Sequence, residues 1–317
     1  AVEETSVLAA ASHGAKLARS LGGFQTQSSA PVMIGQVQLY VSKDFDFEAV
    51  LREHKNELLA QLNQGHERLE ARGGGAKDLQ WRYIDEIKSL VIHILIDTRD
   101  AMGANIVNTM AEKLSGLLPK LIPCQIGLRI LSNLCDQRLS RAHCRVSPEA
   151  LTTPEFHGAE IVEGIVKAYE FAFYDPYRAA THNKGVMNGI DPVVIATGND
   201  WRAVEAGAHA YCCKNGHYRP MTRWWRNSKG ELEGELEIPM AVGVVGGVTK
   251  LHPSAKANLL LMGNPDASSL SEIICAVGLA QNLSALRALS SEGIQKGHMN
   301  LHTKNTDLLQ QQGATKS

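Results

Sequence analysis

Several short stretches of this chain set a titratable side chain beside glycines or at the start of a helical pattern. His182-Asn183-Lys184-Gly185-Val186-Met187-Asn188-Gly189 is polar and glycine-punctuated between two apolar stretches. A helical turn through it would put Lys184 and Asn188, four apart, on one face. An ammonium beside an amide can stabilise an oxyanion forming at a carbonyl carbon. The plain alternative is a solvated loop lysine. Thr197-Gly198-Asn199-Asp200-Trp201 sets an Asp at a helix start. It is there either as an N-cap or as a buried carboxylate that keeps Lys184 charged and oriented. Gly297-His298-Met299-Asn300-Leu301-His302 closes the last clear helix. Histidine is the usual general acid near neutral pH. The chain has 12 histidines, and spacing alone does not choose between His298 and His302. Glu3 and Glu4 precede an Ala-rich helix, where first-turn acids complement the helix dipole.

Asp100-Ala101-Met102-Gly103-Ala104-Asn105 follows an apolar strand and opens a helix. The free N–H groups and positive dipole end of a helix N-terminus can hold a pyrophosphate. Gly103 would let a ligand approach the backbone closely. The spacing is not G-x-G-x-x-G, so it does not read as a Rossmann site. An Asp that merely caps an ordinary helix is the competing reading.

The elements around these residues follow from periodicity. Ser6 to Ser20 is an Ala-rich helix ended by Gly22-Gly23. Val37, Leu39 and Val41 alternate with polar residues, as in a strand. Asp46 to Arg72 has helical spacing and is broken by Gly73-Gly74-Gly75. Trp81 to Ile84 and Leu90 to Ile96 read as strands, Ala104 to Leu118 as a helix, and Gln125 to Ser132 as a strand. The order β-α-β-β-α-β is that of a ferredoxin-like split βαβ domain. Gly158 to Phe173, Trp201 to Tyr211 and Leu270 to Leu289 read as helices, Val193 to Ala196 as a short apolar run, and Leu232 to Val245 as a strand. The expected fold is therefore α+β. A mainly helical large domain, residues 1–30 and 136–301, carries an inserted ferredoxin-like domain, residues 31–135, and residues 302–317 form a tail.

The 317 residues suffice for two such domains. With 32 basic and 33 acidic residues the net charge is -1, which offers nucleic acid or an anionic membrane no global attraction. No stretch reads as a membrane helix or a signal peptide. The six cysteines show no C-x-x-C spacing, which argues against zinc or thioredoxin-like chemistry. Free thiols in apolar stretches point to a reducing compartment, the cytoplasm.

Taken together, Glu3-Glu4-Thr5-Ser6, Asp100 to Asn105, Lys184 to Gly189, Thr197 to Trp201 and Gly297 to Met299 resemble, in order, the motifs of class II (bacterial-type) hydroxymethylglutaryl-CoA reductases. The resemblance runs from residue 1 to about 305, and Arg202 to Tyr211 and Val277 to His298 match almost word for word. It implies two successive hydride transfers from NADPH or NADH, no metal, and conversion of 3-hydroxy-3-methylglutaryl-CoA to mevalonate and coenzyme A, or the reverse. Lys184 would stabilise the oxyanion, Asp200 would link Lys184 to Glu4, His298 would protonate the CoA thiolate, and Glu4 would supply a proton. Ser6, Arg178 and Asn188 match substrate contacts. Asp100, Met102, Gly103, Asn105 and Asn133 match the dinucleotide site. The resemblance further implies a homodimer, or an assembly of dimers, with the active site between subunits. It also implies a segment before Glu4 and a flap after His298. Because the chain starts at Ala1 within a motif and ends in the polar run Gln310 to Ser317, it is expected to be a piece of a longer protein.

In NADH-preferring relatives an acidic residue lies shortly before the glycines of the small domain. Here that position is His66, with Arg68 two residues on and Glu67 between. A basic residue there favours a 2′-phosphate, so NADPH is expected to be accepted. Two other readings fit parts of the pattern. One is a different nicotinamide-dependent dehydrogenase, which leaves the Lys184, Asp200 and His298 set unexplained. The other is a non-catalytic acyl-CoA or dinucleotide-binding protein.

Overall fold

The structure, a computed structural model, describes Val2, residues 5–247, residues 251–291 and Gly293. Glu3, Glu4, His298 and His302 lie outside the described residues. Two four-stranded antiparallel sheets organise the chain. Helix α1 (Thr5–Ala18) leads into β1 (Phe24–Ser28). A run of β2 (Val32–Tyr40), α2 (Phe47–Asn63), α3 (Glu67–Glu70), β3 (Gly75–Ile84), β4 (Ser89–Asp97), α4 (Ala104–Leu117) and β5 (Gln125–Ser132) then builds one sheet in the order β3-β4-β2-β5. The chain returns through β6 (Leu139–Val146), α5 (Pro148–Leu151), α6 (Gly158–Tyr174), α7 (Pro176–Ala196), α8 (Trp201–Tyr211), β7 (Thr222–Arg226), β8 (Leu232–Pro239), α9 (Pro253–Leu261) and α10 (Ala267–Leu289). These strands complete the other sheet, β1-β6-β8-β7.

Each sheet has its own core. Met33, Val37, Leu39, Ile92, Ile94 and Ile96 meet Leu51, Leu58, Met110 and Leu114 beneath α2 and α4. The other core gathers Cys144, Leu236 and Ile238 with Ile165, Val186, Ile190, Cys275, Leu279 and Leu283 around α10. By length and composition alone, α10 could cross a membrane, but 67% of its apolar stretch is buried inside the fold. Thr26 and Ser28 of β1 each donate a hydroxyl to Glu272 at 2.8 Å, tying that strand to α10.

Three differences from the sequence expectation have physical causes. The helix expected through Arg72 stops at Asn63, because Gly65 turns the chain with φ at 87°. The Asn63 amide then clasps Ala76 of β3, accepting its N–H at 2.7 Å and donating to its carbonyl at 3.1 Å. Strands β1, β6 and β7 carry little hydrophobic alternation. In β6 the inward residues are Ser140, Ala142, Cys144 and Val146, too small and too polar to stand out. The polar stretch from His182 to Gly189, together with the apolar run from Val193 to Ala196, lies within the 21-residue helix α7. Its glycines and asparagines are poor helix formers, but Asn183, Val186, Met187, Gly189 and Ile190 are buried, and tertiary packing outweighs propensity.

Candidate active site

Lys184 projects from the middle of α7 into solvent, and Asn188 is half-buried one turn further on. Both belong to the stripe Tyr177, Thr181, Lys184, Asn188, Ile195, which helical spacing puts on one side. Pro192 within α7 has no N–H, so the carbonyl of Asn188 lacks its intrahelical partner. Arg178, at the start of α7, is half-buried, and desolvation draws its pKa down. Asp200 caps α8: its Oδ1 accepts the N–H groups of Arg202 at 3.1 Å and Ala203 at 3.2 Å. Its side chain is 48% exposed and lies 3.8 Å from Arg202 Nε. Of its two candidate roles, the N-cap is therefore the one observed, and the expectation of a buried carboxylate is corrected within this chain. The cause is local, since α8 begins at the surface.

The Thr197–Asp200 turn and the Asp100–Gly103 turn, about a hundred residues apart in sequence, meet across the irregular segment after β8, which ends at Pro239 and not at Val245. Gly243 donates its N–H to Asn199 Oδ1 at 2.8 Å. A side chain at Gly243 would collide with the backbone of Asp100, Ala101 and Met102, so only glycine permits this approach. Val244 donates its N–H to the carbonyl of Asp100 at 2.9 Å. Arg138, 4% exposed, donates to Thr98 Oγ1 and the Ala101 carbonyl at 3.1 Å each, and also to the Val242 carbonyl. Burial lowers the pKa of Arg138 to about 10, and it remains a cation at neutral pH.

Asp100 is not the cap of α4. Its Oδ1 accepts the N–H of Ala267 at 3.1 Å, at the start of α10. Gly103 is the N-cap of α4, with φ at 95° and no side-chain cap. A Cβ there would strike Thr98, so the helix begins with an uncovered backbone cradle. This is the arrangement that suits a pyrophosphate. Asn105 is exposed in the first turn of α4, and Met102 is half-buried beside it. Asn133 is exposed, and its backbone carbonyl lies against Gly207 of α8. His66 is the half-buried N-cap of α3. The loop after α3 packs on the Asp97 carbonyl at Gly74, at the same end of the module as Asp100.

Ser6 on α1 is 6% exposed and its hydroxyl has no partner among the described residues. His182 Nδ1, Asp191 Oδ1 and Gln281 Oε1 share that condition. All four belong to α1, α7 or α10. Buried polar atoms are nearly always paired, so this concentration marks the three helices as the part of the fold built to meet something polar. The Asp191 carboxyl is driven above its usual range by burial and by the Glu205 carboxylate beside it.

Sequence reasoning passed over Arg138 and Gly243 and gave no role to His182 and Asn199, which lie within the stretches it singled out. Arg138 sits just past Asp136, where the composition changes, and Gly243 lies in an apolar run. Neither carried a local signal, because each acts through partners distant in sequence. Two open clefts hold none of the residues singled out above. One, of about 540 Å³, is lined by Gln36, Arg82, His93 and Asp136. The other, of about 440 Å³, is lined by Arg141, Arg219, Arg223, Glu235 and Glu237.

A profile of the family described as hydroxymethylglutaryl-coenzyme A reductase matches residues 1–303. The chain is 48% identical over 314 residues to the 3-hydroxy-3-methylglutaryl-coenzyme A reductase of Archaeoglobus fulgidus, spanning 98% of this chain and 70% of that protein. Among solved structures it is similar to the class II 3-hydroxy-3-methylglutaryl-CoA reductase of Streptococcus pneumoniae bound to NADPH in open conformations. The TM-score is 0.89 at 46% identity, over 97% of this chain and 75% of that one. A second structure of the Streptococcus pneumoniae reductase gives a TM-score of 0.88 at 45% identity, over 92% of this chain and 79% of that one.

Proposed function

The chain belongs to the hydroxymethylglutaryl-coenzyme A reductase family, and from that membership we propose how its own residues carry the reaction. It reduces 3-hydroxy-3-methylglutaryl-CoA to mevalonate and coenzyme A with a nicotinamide cofactor. The observation that carries the residue assignment is the junction at Gly243, where the Asp200 turn and the Asp100 turn are clasped together.

When bound, the reduced nicotinamide supplies one hydride to the thioester and a second to the aldehyde. The residues of this chain do the rest. Lys184 holds its ammonium against the substrate carbonyl oxygen, where negative charge grows. Asp200 links Lys184 to Glu4, and Glu4 feeds the proton that the alcohol needs. His298 gives a proton to the sulfur of the departing CoA. Ser6, Arg178 and Asn188 hold the substrate. The unpartnered buried hydroxyl of Ser6 supports this reading, since a substrate oxygen would satisfy it. Asp100, Met102, Gly103, Asn105 and Asn133 hold the dinucleotide, with its pyrophosphate on the α4 N-terminus.

The strand order β3-β4-β2-β5 with two covering helices supports a ferredoxin-like split βαβ module, residues 31–135, inserted into a large domain of residues 1–30 and 136–301, with residues 302–317 as a tail. An obligate homodimer completes the site. In its favour, large apolar side chains on α1, α7 and α8 are exposed: Leu8 at 56%, Tyr177 at 85%, Ile195 at 41% and Trp201 at 41%. Six unpaired cysteines fit a reducing compartment, the cytoplasm.

The direct test is oxidation of reduced cofactor by the purified protein, dependent on hydroxymethylglutaryl-CoA. Two cofactors should be consumed per CoA released. Oxidation without the thioester, or one cofactor per CoA, would sink the reading. By the resemblance, His66 is placed near the adenosine 2′ position with Arg68 beside it, and a similar solved reductase binds NADPH, so NADPH is accepted. His66→Asp should shift the NADPH-to-NADH ratio of kcat/KM toward NADH by about five-fold, as expected for one carboxylate set near the 2′-phosphate at a partly solvated site. An unchanged ratio removes His66 from cofactor choice.

A further inference from the structure

The buried imidazole of His182 has a tautomer that its neighbours dictate. Trp224 Nε1 lies 2.8 Å from Asn282 Oδ1, and an indole N–H only donates, so that amide atom is the oxygen. Thr222 Oγ1 lies 2.9 Å from the same oxygen. An amide oxygen only accepts, so the single O–H of Thr222 is spent there. His182 Nε2, 2.6 Å from Thr222 Oγ1, must therefore be the donor to it. The ring is then the Nε2–H tautomer, and its lone pair sits on Nδ1, which has no partner among the described residues. Burial, and to a lesser degree the charge of Arg178, push the pKa of His182 down to about 3, so the ring is neutral at working pH.

Arg178 lies one turn earlier on α7. Helical side chains lean toward the N-terminus of their helix, which brings the imidazole over the turn that carries Arg178. A guanidinium has five N–H donors and no acceptor, and a carboxylate uses two of them in a bidentate pair. The guanidinium charge of Arg178 acts on the His182 ring, and the ring's acceptor Nδ1 is unfilled among the described residues.

We infer that His182 is a positioning residue for Arg178: its Nδ1 lone pair takes one guanidinium N–H and sets the rotamer in which Arg178 meets the free carboxylate of the hydroxymethylglutaryl group. This rests on the reading of Arg178 as a substrate contact. The donors then run in one direction, from Arg178 to His182 to Thr222 to Asn282. They anchor the substrate-facing guanidinium on β7 and α10 rather than on solvent.

Two substitutions separate positioning from structure. His182→Gln keeps a donor within reach of Thr222 but removes the acceptor at the δ position. His182→Asn keeps an acceptor near the δ position and gives up Thr222. His182→Gln should raise KM for hydroxymethylglutaryl-CoA about ten-fold, the effect of one charge-assisted hydrogen bond. It should lower kcat less and leave KM for the cofactor alone. His182→Asn should lose thermal stability yet hold KM closer to wild type. In an Arg178→Ala background His182→Gln should change KM no further. A wild-type KM in His182→Gln, or the same rise in both backgrounds, overturns the positioning role. A wild-type KM in Arg178→Ala overturns instead the assignment of Arg178 to substrate.

Discussion

Lys184→Ala will lower turnover of hydroxymethylglutaryl-CoA by about 10²–10³, the usual loss when one oxyanion stabiliser is removed. The fold should survive. Lys184 is exposed on α7, and truncating an exposed helix residue typically shifts stability by no more than ~0.5 kcal/mol. Alanine is also a better helix former than lysine. The loss should fall on kcat more than on KM, because the oxyanion exists in the transition state and not in the bound thioester. Steady-state kinetics with a denaturation curve on the same sample check both halves. Near-normal turnover would take Lys184 out of the chemistry, whereas a collapsed denaturation midpoint would make it a structural residue.

The second large effect separates the two reductions. His298→Gln should slow thioester reduction by roughly 10²–10⁴, the contribution of a general acid. Reduction of free mevaldehyde should suffer much less, since no thiolate leaves. Both rates can be measured on one preparation. Equal losses on the two substrates would argue against the role, and a larger loss from His302→Gln would exchange the two histidines. A related expectation concerns assembly. Heterodimers that pair a Lys184→Ala subunit with a His298→Gln subunit should recover activity if the two residues meet across an isologous interface. Verified heterodimers without recovery would assign both residues to one chain.

Much of this was legible in the amino-acid sequence, because its signals were local. Asp200 followed by Trp201 announced α8, and that helix runs over the residues expected, Trp201–Tyr211. Strand β5 likewise occupies Gln125–Ser132 as read from its pattern. Caps, breakers and periodicity are written within a few residues of the element they govern, so they can be read without knowing what packs against it. The order of the motifs was equally open to reading, and it carried the family resemblance.

What only the tertiary structure decided depends on partners far along the chain. Lys184 belongs to a helix rather than a loop because residues on the other side of α7 are buried against the core around α10, which overrides two glycines and two asparagines. Asp100, read as a cap of α4, instead accepts the backbone N–H of Ala267 at the start of α10, 167 positions further along the chain. Arg138 and Gly243 matter because one fills, and the other vacates, the narrow space where the two motif turns meet. The sequence alone determined which residue types were available and which segments were helical or extended by local preference. Their convergence was set by burial and by the pairing of polar groups over long separations, energies that exist only once the chain has closed on itself.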